Sequence, residues 1–348
     1  MPPSVWRMTP EAMTVNYTAV RQGLDSVLVD FLREKLNSLP DSRLENLIDH
    51  LCEFVIHGGK RLRPLLCYYG WETVEEAGER TSVLRAAASL ELFHAFALIH
   101  DDIMDASAMR RGRPTLHKAL GVNDAILLGD IALVWHDEML HASGVDPQRL
   151  IAVRSVVEAM RAEALYGQQL DLLATGGAKD DLDLATTVVR YKTAKYTVER
   201  PLHVGAALAG GGPEVLRSCT AYALPIGEAF QLRDDVLGVF GHPDVTGKSA
   251  VEDLREGKVT VLIATALSLA DTKQIELLNR LLGNPELDES GAERVRELLV
   301  DTGALKHVED MIRRRREEGL AALEAAPFRP EAVAALREIA YATTERVS

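Results

Sequence analysis

The spacing of apolar residues limits the possible folds of this chain more than any other feature. They recur three and four positions apart in most segments, for example at Leu84, Ala88, Leu92, Ala95 and Ile99. This period matches one face of an α-helix, whereas the alternation expected of strands is hard to find. Aromatic residues make up only 5% of the chain, and alanine and leucine recur throughout. The sequence therefore predicts an all-α fold.

Helix signals and connections predict one domain over residues 1–348, with about ten or more helices. Ser42 and Glu45 have the spacing of a capping box, and Pro147 suits a first helical turn. The glycine- and proline-rich connections are short, and none resembles a linker. The stretch 259–263 has a β-like composition, but it continues into alanines and leucines and is predicted to be a buried helix.

Bulk composition narrows the possible partners and compartment. The net charge of -13 gives no general attraction to a phosphate backbone, so nucleic acid is not an expected partner. Three scattered cysteines fit neither a disulfide framework nor a thiolate metal site, and a reducing cytoplasm is expected. The N-terminus does not resemble a signal peptide, and no stretch of about 18 uncharged apolar residues predicts membrane insertion.

The first motif with chemical content is an acidic cluster, Asp101, Asp102 and Asp105, directly after an apolar helix that ends at His100. Asp101 and Asp105 are one turn apart, so they share a helix face and can hold hard cations through oxygen. The alternative is a solvated acidic helix end, since the chain has 52 acidic residues and such clusters arise by chance. Further polar clusters decide between the two.

A second acidic cluster combines Gln231, Asp234 and Asp235 on one face of another predicted helix. Its neighbours are apolar, and burying two adjacent aspartates among them is costly unless a metal or a positive charge neutralises them. Gln168 and Asp171 repeat the arrangement in a third helix. Three polar helix faces pointing inward predict a shared charged ligand.

Basic residues are gathered beside glycines, predicted turns and the first acidic cluster. The set comprises Lys60, Arg61 and Arg63 after the pair Gly58-Gly59, then Arg110, Arg111, Lys192 with Thr193, Lys248 and Lys258. A flexible glycine pair lets backbone and side chains close around a phosphate. His94 lies two helical turns before Asp101 on the same face, so it can point into the same cavity. Cations and carboxylates together indicate a site for two diphosphates and magnesium.

These motifs resemble those of the trans-isoprenyl diphosphate synthases, the polyprenyl synthetase family. The similar segments are GGKRLRP at 58–64, HDDIMD at 100–105, RRGRPT at 110–115, GQQLD at 167–171, YKTA at 191–194, FQLRDD at 230–235 and TGK at 246–248. They occur in the family's order and at about its spacing, over most of the chain from Gly58 to Lys258. The resemblance implies a homodimer of helical bundles of the isoprenoid synthase type, each around a deep central cavity.

The resemblance also implies roles for individual residues. Magnesium, with manganese as a substitute, would be bound by Asp101, Asp105 and Asp234, with Asp102, Asp171 and Asp235 in direct or water-mediated contact. The allylic diphosphate would be held by Arg110, Lys192, Thr193, Gln231, Lys248 and Lys258. Isopentenyl diphosphate would be held by Lys60, Arg63, His94 and Arg111. One departure is Gly238, where many members have a last aspartate, and its expected effect is on metal affinity and not on the reaction class.

The implied chemistry is ionisation and not nucleophilic catalysis. Cations stabilise the departing diphosphate, the alkene of isopentenyl diphosphate attacks the allylic carbocation, and a proton leaves to the released diphosphate. Water would quench the cation, so the segment 241–257 is expected to close over the site.

Product length is expected to depend on residues that precede Asp101 on its helix. Ala97, Phe96 and Phe93 would line the path of the growing chain, with Phe96 as its floor. A single aromatic here, without an insertion in the first motif, resembles synthases of geranylgeranyl diphosphate, and farnesyl diphosphate is the alternative product. Packing of Phe96 in the core alone also remains open. The rival functions are a class I terpene cyclase and a non-catalytic subunit of a synthase.

Overall fold

The computed structural model describes residues 17–74, 80–176, 180–241 and 250–345. Within these ranges the chain forms sixteen α-helices and one two-stranded hairpin. The α-helices are α1 Tyr17–Asn37, α2 Glu45–Ile56, α3 Leu62–Glu72, α4 Arg80–Met104, α5 Leu116–Leu120, α6 Val122–His141, α7 Pro147–Gly176, α8 Leu182–Val188, α9 Arg200–Leu208, α10 Pro213–Phe240, α11 Ala250–Glu256, α12 Val261–Leu269, α13 Thr272–Leu281, α14 Glu289–Asp301, α15 Ala304–Ala325 and α16 Pro330–Thr344. The prediction of an all-α fold is confirmed.

Two clusters of buried side chains form the core, and α10 contributes to both. Ile226 belongs to the larger cluster, which α1 to α7, α9 and the last two helices complete. Ala229 and Leu232, one turn further along α10, belong to the smaller cluster with α11 to α15. Because one helix carries both sets, the acidic end of α10 is anchored from two sides.

Helix α4 is the central apolar helix of the larger cluster. In the described part of the chain it is the one helix with the length and composition to cross a membrane, with a mean hydropathy of 1.4 over its apolar window. That window is 72% buried inside the protein. The apolar surface of α4 is therefore used in packing, mainly against α6.

One local prediction differs from the structure at the start of α2. The predicted capping box of Ser42 and Glu45 does not form, because Asp41 caps the chain one residue earlier. Its side chain accepts a hydrogen bond from the Arg43 backbone N–H and starts a 3-10 turn, Ser42–Leu44. Helix α2 continues directly from that turn at Glu45, so the capping signal was real but one residue away.

Other helix starts agree with prediction. Pro147 begins α7, where the missing backbone N–H of proline costs little. The stretch 259–263 enters a buried helix, as predicted, although the helix begins at Val261 and Thr260 caps it by accepting from the Ile263 N–H.

A π-helix, Val189–Glu199, joins α8 to α9 without a break. The Arg200 N–H donates to the Lys195 carbonyl five residues back, and Pro201 has no N–H with which to continue an α-type ladder. Residues five apart lie on the same side of such a helix, unlike in an α-helix. The wider turn places Lys192 and Thr197 on one wall of the central cavity.

Two glycines allow neighbouring helices to pack closely on this π-helix. A Cβ atom at Gly167 of α7 would lie 2.5 Å from the Lys192 backbone nitrogen, and one at Gly227 of α10 would lie 2.5 Å from Ala194 Cα. No side chain fits at these separations, so glycine is required at both positions. The close packing brings the acidic residues of α7 and α10 up to the π-helix.

Candidate active site

A cavity of about 500 Å³ opens between α4, α10 and the π-helix. The predicted residues that line it are Lys60, Arg61, Arg63, His94, Asp101, Arg110, Arg111, Lys192, Thr193, Gln231, Asp234, Asp235 and Lys258. Residues from both acidic clusters and from every basic group in the described ranges thus meet around one space. The geometry required by the sequence argument, with Asp101 and Asp234 on a shared hollow, is present.

Lysine ammonium groups hold the acidic residues of α4 and α7 together. Lys192 Nζ lies 3.0 Å from Asp101 Oδ1 and 2.5 Å from Asp171 Oδ2. Burial alone would raise the pKa of Asp101, but the charges of Lys192 and Lys258 outweigh it and hold that pKa below its usual value. Asp101 is therefore ionised and oriented before any ligand binds.

Asp102 points away from the cavity and holds an arginine. Its two oxygens accept from Arg110 Nε at 2.7 and 2.8 Å, and Arg110 Nη2 lies 2.6 Å from Oδ1. Asp102 is 1% exposed, so its contact with Arg110 is sheltered from water. The structure thus gives Asp102 a clear part in orienting Arg110, which faces the cavity.

Asp105 lies at the end of α4, close to the end of α11, the helix in the last part of the predicted lid. Lys258 Nζ is 3.2 Å from Asp105 Oδ2 and 3.1 Å from Glu256 Oε2, and Ser107 Oγ donates to Glu256 Oε1 at 3.2 Å. Burial, and then the neighbouring Asp101 charge, raise the pKa of Asp105 although Lys258 opposes the rise. Glu256, which was not predicted, ties the end of α11 to the first acidic cluster.

A chain of hydrogen bonds from the π-helix orients the second acidic cluster. Thr193 Oγ1 donates to Gln231 Oε1 at 2.5 Å, and Gln231 Nε2 donates to Asp235 Oδ1 at 2.7 Å. Asp234 and Asp235 are half-buried on the cavity side of α10. Helix α10 continues through Gly238 to Phe240, so the missing aspartate does not interrupt the helix that presents this cluster.

A stacked group of polar side chains forms the other end of the cavity. Arg63 Nη2 donates to Thr197 Oγ1 at 2.6 Å, and its guanidinium lies 4.3 Å from the centre of the Tyr196 ring. Tyr196 Oη lies 3.2 Å from His94 Nδ1. Enclosure by the protein, and the charges of Arg63 and Arg111, hold the pKa of His94 well below its usual value. His94 is thus neutral, and its Nδ1 contacts the Tyr196 hydroxyl. It can act as a hydrogen-bonding group at this end of the cavity.

Arg61, which is 3% exposed, holds the basic loop before α3 in place. Arg61 adopts a left-handed backbone conformation, with φ of 55°. Its side chain donates to Asp25, to Glu91 and to the carbonyls of Val55 and Ile56, at 2.8 to 2.9 Å. Arg61 was predicted as part of a phosphate-binding group, and the structure instead pairs it with carboxylates that position the loop carrying Lys60.

The hairpin Met109–Arg110 and Arg113–Pro114 presents the two neighbouring arginines. Its turn residues, Arg111 and Gly112, have φ of 54° and 75°, as a tight two-residue turn requires. Both arginines line the cavity.

The predicted chain-length residues lie beside the cavity and not in its wall. On α4 the lining residues are Glu91, His94, Leu98 and Asp101. Phe96 is 6% exposed, and its ring packs 5.5 Å from Phe93 and 4.8 Å from His100. Five residues along an α-helix correspond to about 140° of rotation, which turns Phe96 away from Asp101. Ala97 is half-buried. The role of these three residues in product length stays a prediction.

Two predictions fall partly outside the described residues. Lys248 lies in the range 242–249, and the predicted lid at 241–257 is described only at its ends, Gly241 and α11. Neither the contacts of Lys248 nor closure of the lid is tested.

Sequence inspection missed four residues of the site, namely Glu91, Tyr196, Thr197 and Glu256. Glu91 precedes His94 by one helical turn, a spacing that signals a shared face. Tyr196 and Thr197 gave no such signal, because helical periodicity of 3.6 does not describe a π-helix.

The carboxylate oxygens of the site are suitable ligands for a divalent metal. All are oxygen ligands, which hard cations prefer, and the ammonium groups of Lys192 and Lys258 already lie against Asp101, Asp171 and Asp105. Among the described residues no three acidic, histidine or cysteine side chains converge on one point. A cation would therefore bind between facing walls, together with ligand oxygens.

The arrangement of charged residues around the cavity defines the class of protein. Aspartates on two facing helices, with cations around the same hollow, form a site for diphosphate esters and metal in an all-helical bundle. This arrangement is that of an enzyme of the isoprenoid synthase type, and the class is a trans-prenyltransferase acting on isoprenoid diphosphates.

The chain belongs to the polyprenyl synthetase family, whose model matches residues 42–299. It is 34% identical over 293 residues to the geranylfarnesyl diphosphate synthase of Aeropyrum pernix, covering 83% of this chain and 88% of that protein. It is 29% identical over 326 residues to the geranylgeranyl diphosphate synthase of Saccharolobus solfataricus, covering 92% and 96%. The geranylgeranyl pyrophosphate synthase of Corynebacterium glutamicum, solved with isoprenyl diphosphate and magnesium, superimposes with a TM-score of 0.92 at 38% identity, covering 96% of this chain and all of that one.

Proposed function

We propose that this prenyltransferase condenses isopentenyl diphosphate with an allylic diphosphate, depends on magnesium, and makes geranylgeranyl diphosphate. The observation that carries the proposal is the single cavity into which Asp101 and Asp234 both face, with cations at both of its ends. Support for the product comes from the solved relative at 38% identity, a geranylgeranyl pyrophosphate synthase. The Aeropyrum relative makes a longer product by its name, so product length needs its own measurement.

The acidic end of the cavity would hold the allylic diphosphate. Asp101, Asp105 and Asp171 on one side and Asp234 and Asp235 on the other would bind magnesium, with manganese as a substitute. Bound metal would supply positive charge to the departing diphosphate oxygens.

Cationic side chains would share the stabilisation of the leaving group. Lys192, Lys258 and Arg110 already rest against carboxylates of the first cluster. These ammonium and guanidinium groups are in place before the allylic bond breaks, so little reorganisation accompanies charge development. Thr193, Gln231 and Lys248 would complete the contacts to this diphosphate.

The basic end of the cavity would hold isopentenyl diphosphate. Lys60, Arg63 and Arg111 supply positive charge, and neutral His94 supplies a hydrogen bond. The ester would then lie with its alkene toward the allylic carbon. Glu91 is the carboxylate in this wall and is paired with Arg61, so the released diphosphate is the natural acceptor for the final proton.

We further propose a cytoplasmic homodimer of single-domain subunits. Large apolar side chains are exposed on the outward faces of α6 and α7, including Val134 at 63% and Leu165 at 52%. Such surfaces on adjacent helices suit a self-complementary interface. Cys52, Cys67 and Cys219 are buried free thiols, which suits a reducing compartment. Light scattering at several concentrations would test the dimer.

The decisive experiment is product analysis with labelled isopentenyl diphosphate and dimethylallyl, geranyl or farnesyl diphosphate, with and without magnesium. Elongation to a twenty-carbon diphosphate from each starter is expected, and chelation should abolish it. Asp101→Asn should reduce turnover by at least about 100-fold, whereas Asp183→Asn on the exposed surface of α8 should not. Label incorporation separates this function from a terpene cyclase, and failure to elongate any starter would favour a non-catalytic subunit.

A further inference from the structure

A second cavity, of about 250 Å³, lies behind the hairpin that carries the paired arginines. Arg110 and Arg111 line both this cavity and the active site. The remaining lining residues are His50, Glu53, Phe54, His57, Arg113, Pro114, Leu116 and Ala119. We call this space the hairpin cavity. It shares two diphosphate-binding residues with the active site, but none of its carboxylates.

The hairpin cavity has an excess of positive charge. Three guanidinium groups line it with a single carboxylate, that of Glu53, which lies 3.4 Å from Arg113. Of the three, Arg110 is already paired with Asp102. Both groups of the pair of Glu53 and Arg113 are 57% exposed, so their mutual attraction is weak and screened. In the described ranges no carboxylate lies within 4.0 Å of the Arg111 guanidinium. An anion entering the cavity would meet cations that the protein itself neutralises only in part.

Two histidines, His50 and His57, also line the hairpin cavity. His50 Nδ1 lies 2.7 Å from the Asn46 carbonyl, and His57 Nδ1 lies 2.9 Å from the Glu53 carbonyl. A carbonyl accepts only, so Nδ1 carries a proton in both rings and Nε2 is the remaining site.

The rest of the lining is apolar. The Phe54 ring lies 5.9 Å from the Arg111 guanidinium, and Pro114, Leu116 and Ala119 continue the surface. A purely inorganic anion has no use for such a surface, whereas an anion with a hydrocarbon tail gains from burying it. A volume near 250 Å³ suits a diphosphate with a short apolar segment.

We propose that the hairpin cavity is a second diphosphate-binding site, which favours prenyl esters over inorganic diphosphate and inhibits the enzyme. The inference rests on the proposed function for its choice of ligand. Occupancy draws Arg111 toward the hairpin cavity, which removes charge from the isopentenyl diphosphate. The coupling is reciprocal, so active-site ligands weaken binding behind the hairpin. Inhibition by excess prenyl diphosphate is therefore of mixed type and not purely competitive.

Two variants test the site without touching residues of the active-site cavity. Ala119→Trp fills the hairpin cavity from an exposed position on α5, and Arg113→Ala removes one of its cations. Arg313→Ala is the matched control, because Arg313 on α15 is 59% exposed and paired with an acidic residue, as Arg113 is, but does not line the hairpin cavity. Calorimetry with inorganic diphosphate, and separately with the unreactive thiolo analogue of dimethylallyl diphosphate, counts the sites per chain.

The filled variant is expected to bind one equivalent of the analogue fewer than the wild type and the control. Arg113→Ala should raise the inhibition constant of excess prenyl diphosphate about tenfold, as expected for loss of a charge-assisted hydrogen bond. The site is supported if Ala119→Trp binds one equivalent less of either probe, and the probe whose binding is reduced identifies the ligand. Equal stoichiometry and equal inhibition in all four proteins would overturn the proposal. Wild-type turnover in the same samples tests the proposed function separately.

Discussion

Removal of the Arg61 side chain should destabilise the protein strongly and weaken isopentenyl diphosphate binding. Arg61→Ala leaves Glu91 as a charged group that is 5% exposed and has lost its partner. Breaking one side of a buried ion pair costs about 3–5 kcal/mol. The carbonyls of Val55 and Ile56 lose a donor as well. At roughly 2–4 °C for each kcal/mol in a large domain, the melting temperature should fall by about 10 °C.

The matched control is Arg21→Ala. Arg21 also faces Asp25, but at 4.0 Å and with both side chains more than a third exposed. Such a pair contributes about 0–1 kcal/mol, so its loss should move the melting temperature by less than about 3 °C. The double variant Arg61→Met with Glu91→Gln removes both charges and should recover at least half of the loss, because no buried charge is left without a partner.

The assay is thermal unfolding at one fixed protein concentration, followed by steady-state kinetics below the transition. Because Arg61 supports the loop that carries Lys60, the KM for isopentenyl diphosphate should rise about tenfold, as for loss of one charged contact. The KM for the allylic substrate should stay within about threefold. A melting temperature within 3 °C of wild type, with unchanged KM values, would show that the buried pair does not have this role.

Three further predictions address the reaction, the product and the pH dependence of stability. Lys192→Met should lower kcat by about 100-fold or more, because the ammonium beside Asp101 and Asp171 is lost from the leaving-group end. Phe96→Ala should shift the product distribution to longer chains, measured by chromatography. Burial lowers the pKa of His136 to about 4, below about 6.5 in an unfolded chain. The unfolded state thus binds more protons between these values, and about 3 kcal/mol of stability should be lost as pH falls from 6.5 to 4.

Each of these predictions has an outcome that would contradict it, and two of them have a control variant. Lys195→Met alters the same π-helix but leaves Glu163 paired with Arg200, and an equal loss of kcat there would refute a special role for Lys192. An unchanged product from folded Phe96→Ala would leave Phe96 with core packing alone. His136→Gln should flatten the pH dependence of the melting temperature, whereas substitution of exposed His307 should not. An unaltered slope in His136→Gln would contradict the burial argument.

The helices could be predicted from the sequence more completely than the partners of the acidic residues. Apolar periodicity was enough for α4 and α10, because a long buried helix repeats its pattern many times. The capping signal was one residue off at the start of α2, because Asp41 and Ser42 are both suitable N-cap residues. For the aspartates, one-turn spacing placed Asp101 correctly on the cavity face. The same spacing could not show that Asp102, one residue on, turns back to hold Arg110.

The amino-acid sequence by itself determined the helical class, the family and the set of charged residues that meet at the cavity. These depend on local periodicity and on motifs, both of which can be counted along the chain. Tertiary structure alone decided that Arg61 pairs with a buried carboxylate, whereas Arg63, two residues on, donates to Thr197 in the cavity wall. It also decided the π-helix that turns Lys192 and Thr197 to one side. The reason is that charge pairing and helix pitch respond to neighbours distant in sequence, such as Glu91, Gly167 and Gly227, whose positions exist only once the bundle has packed.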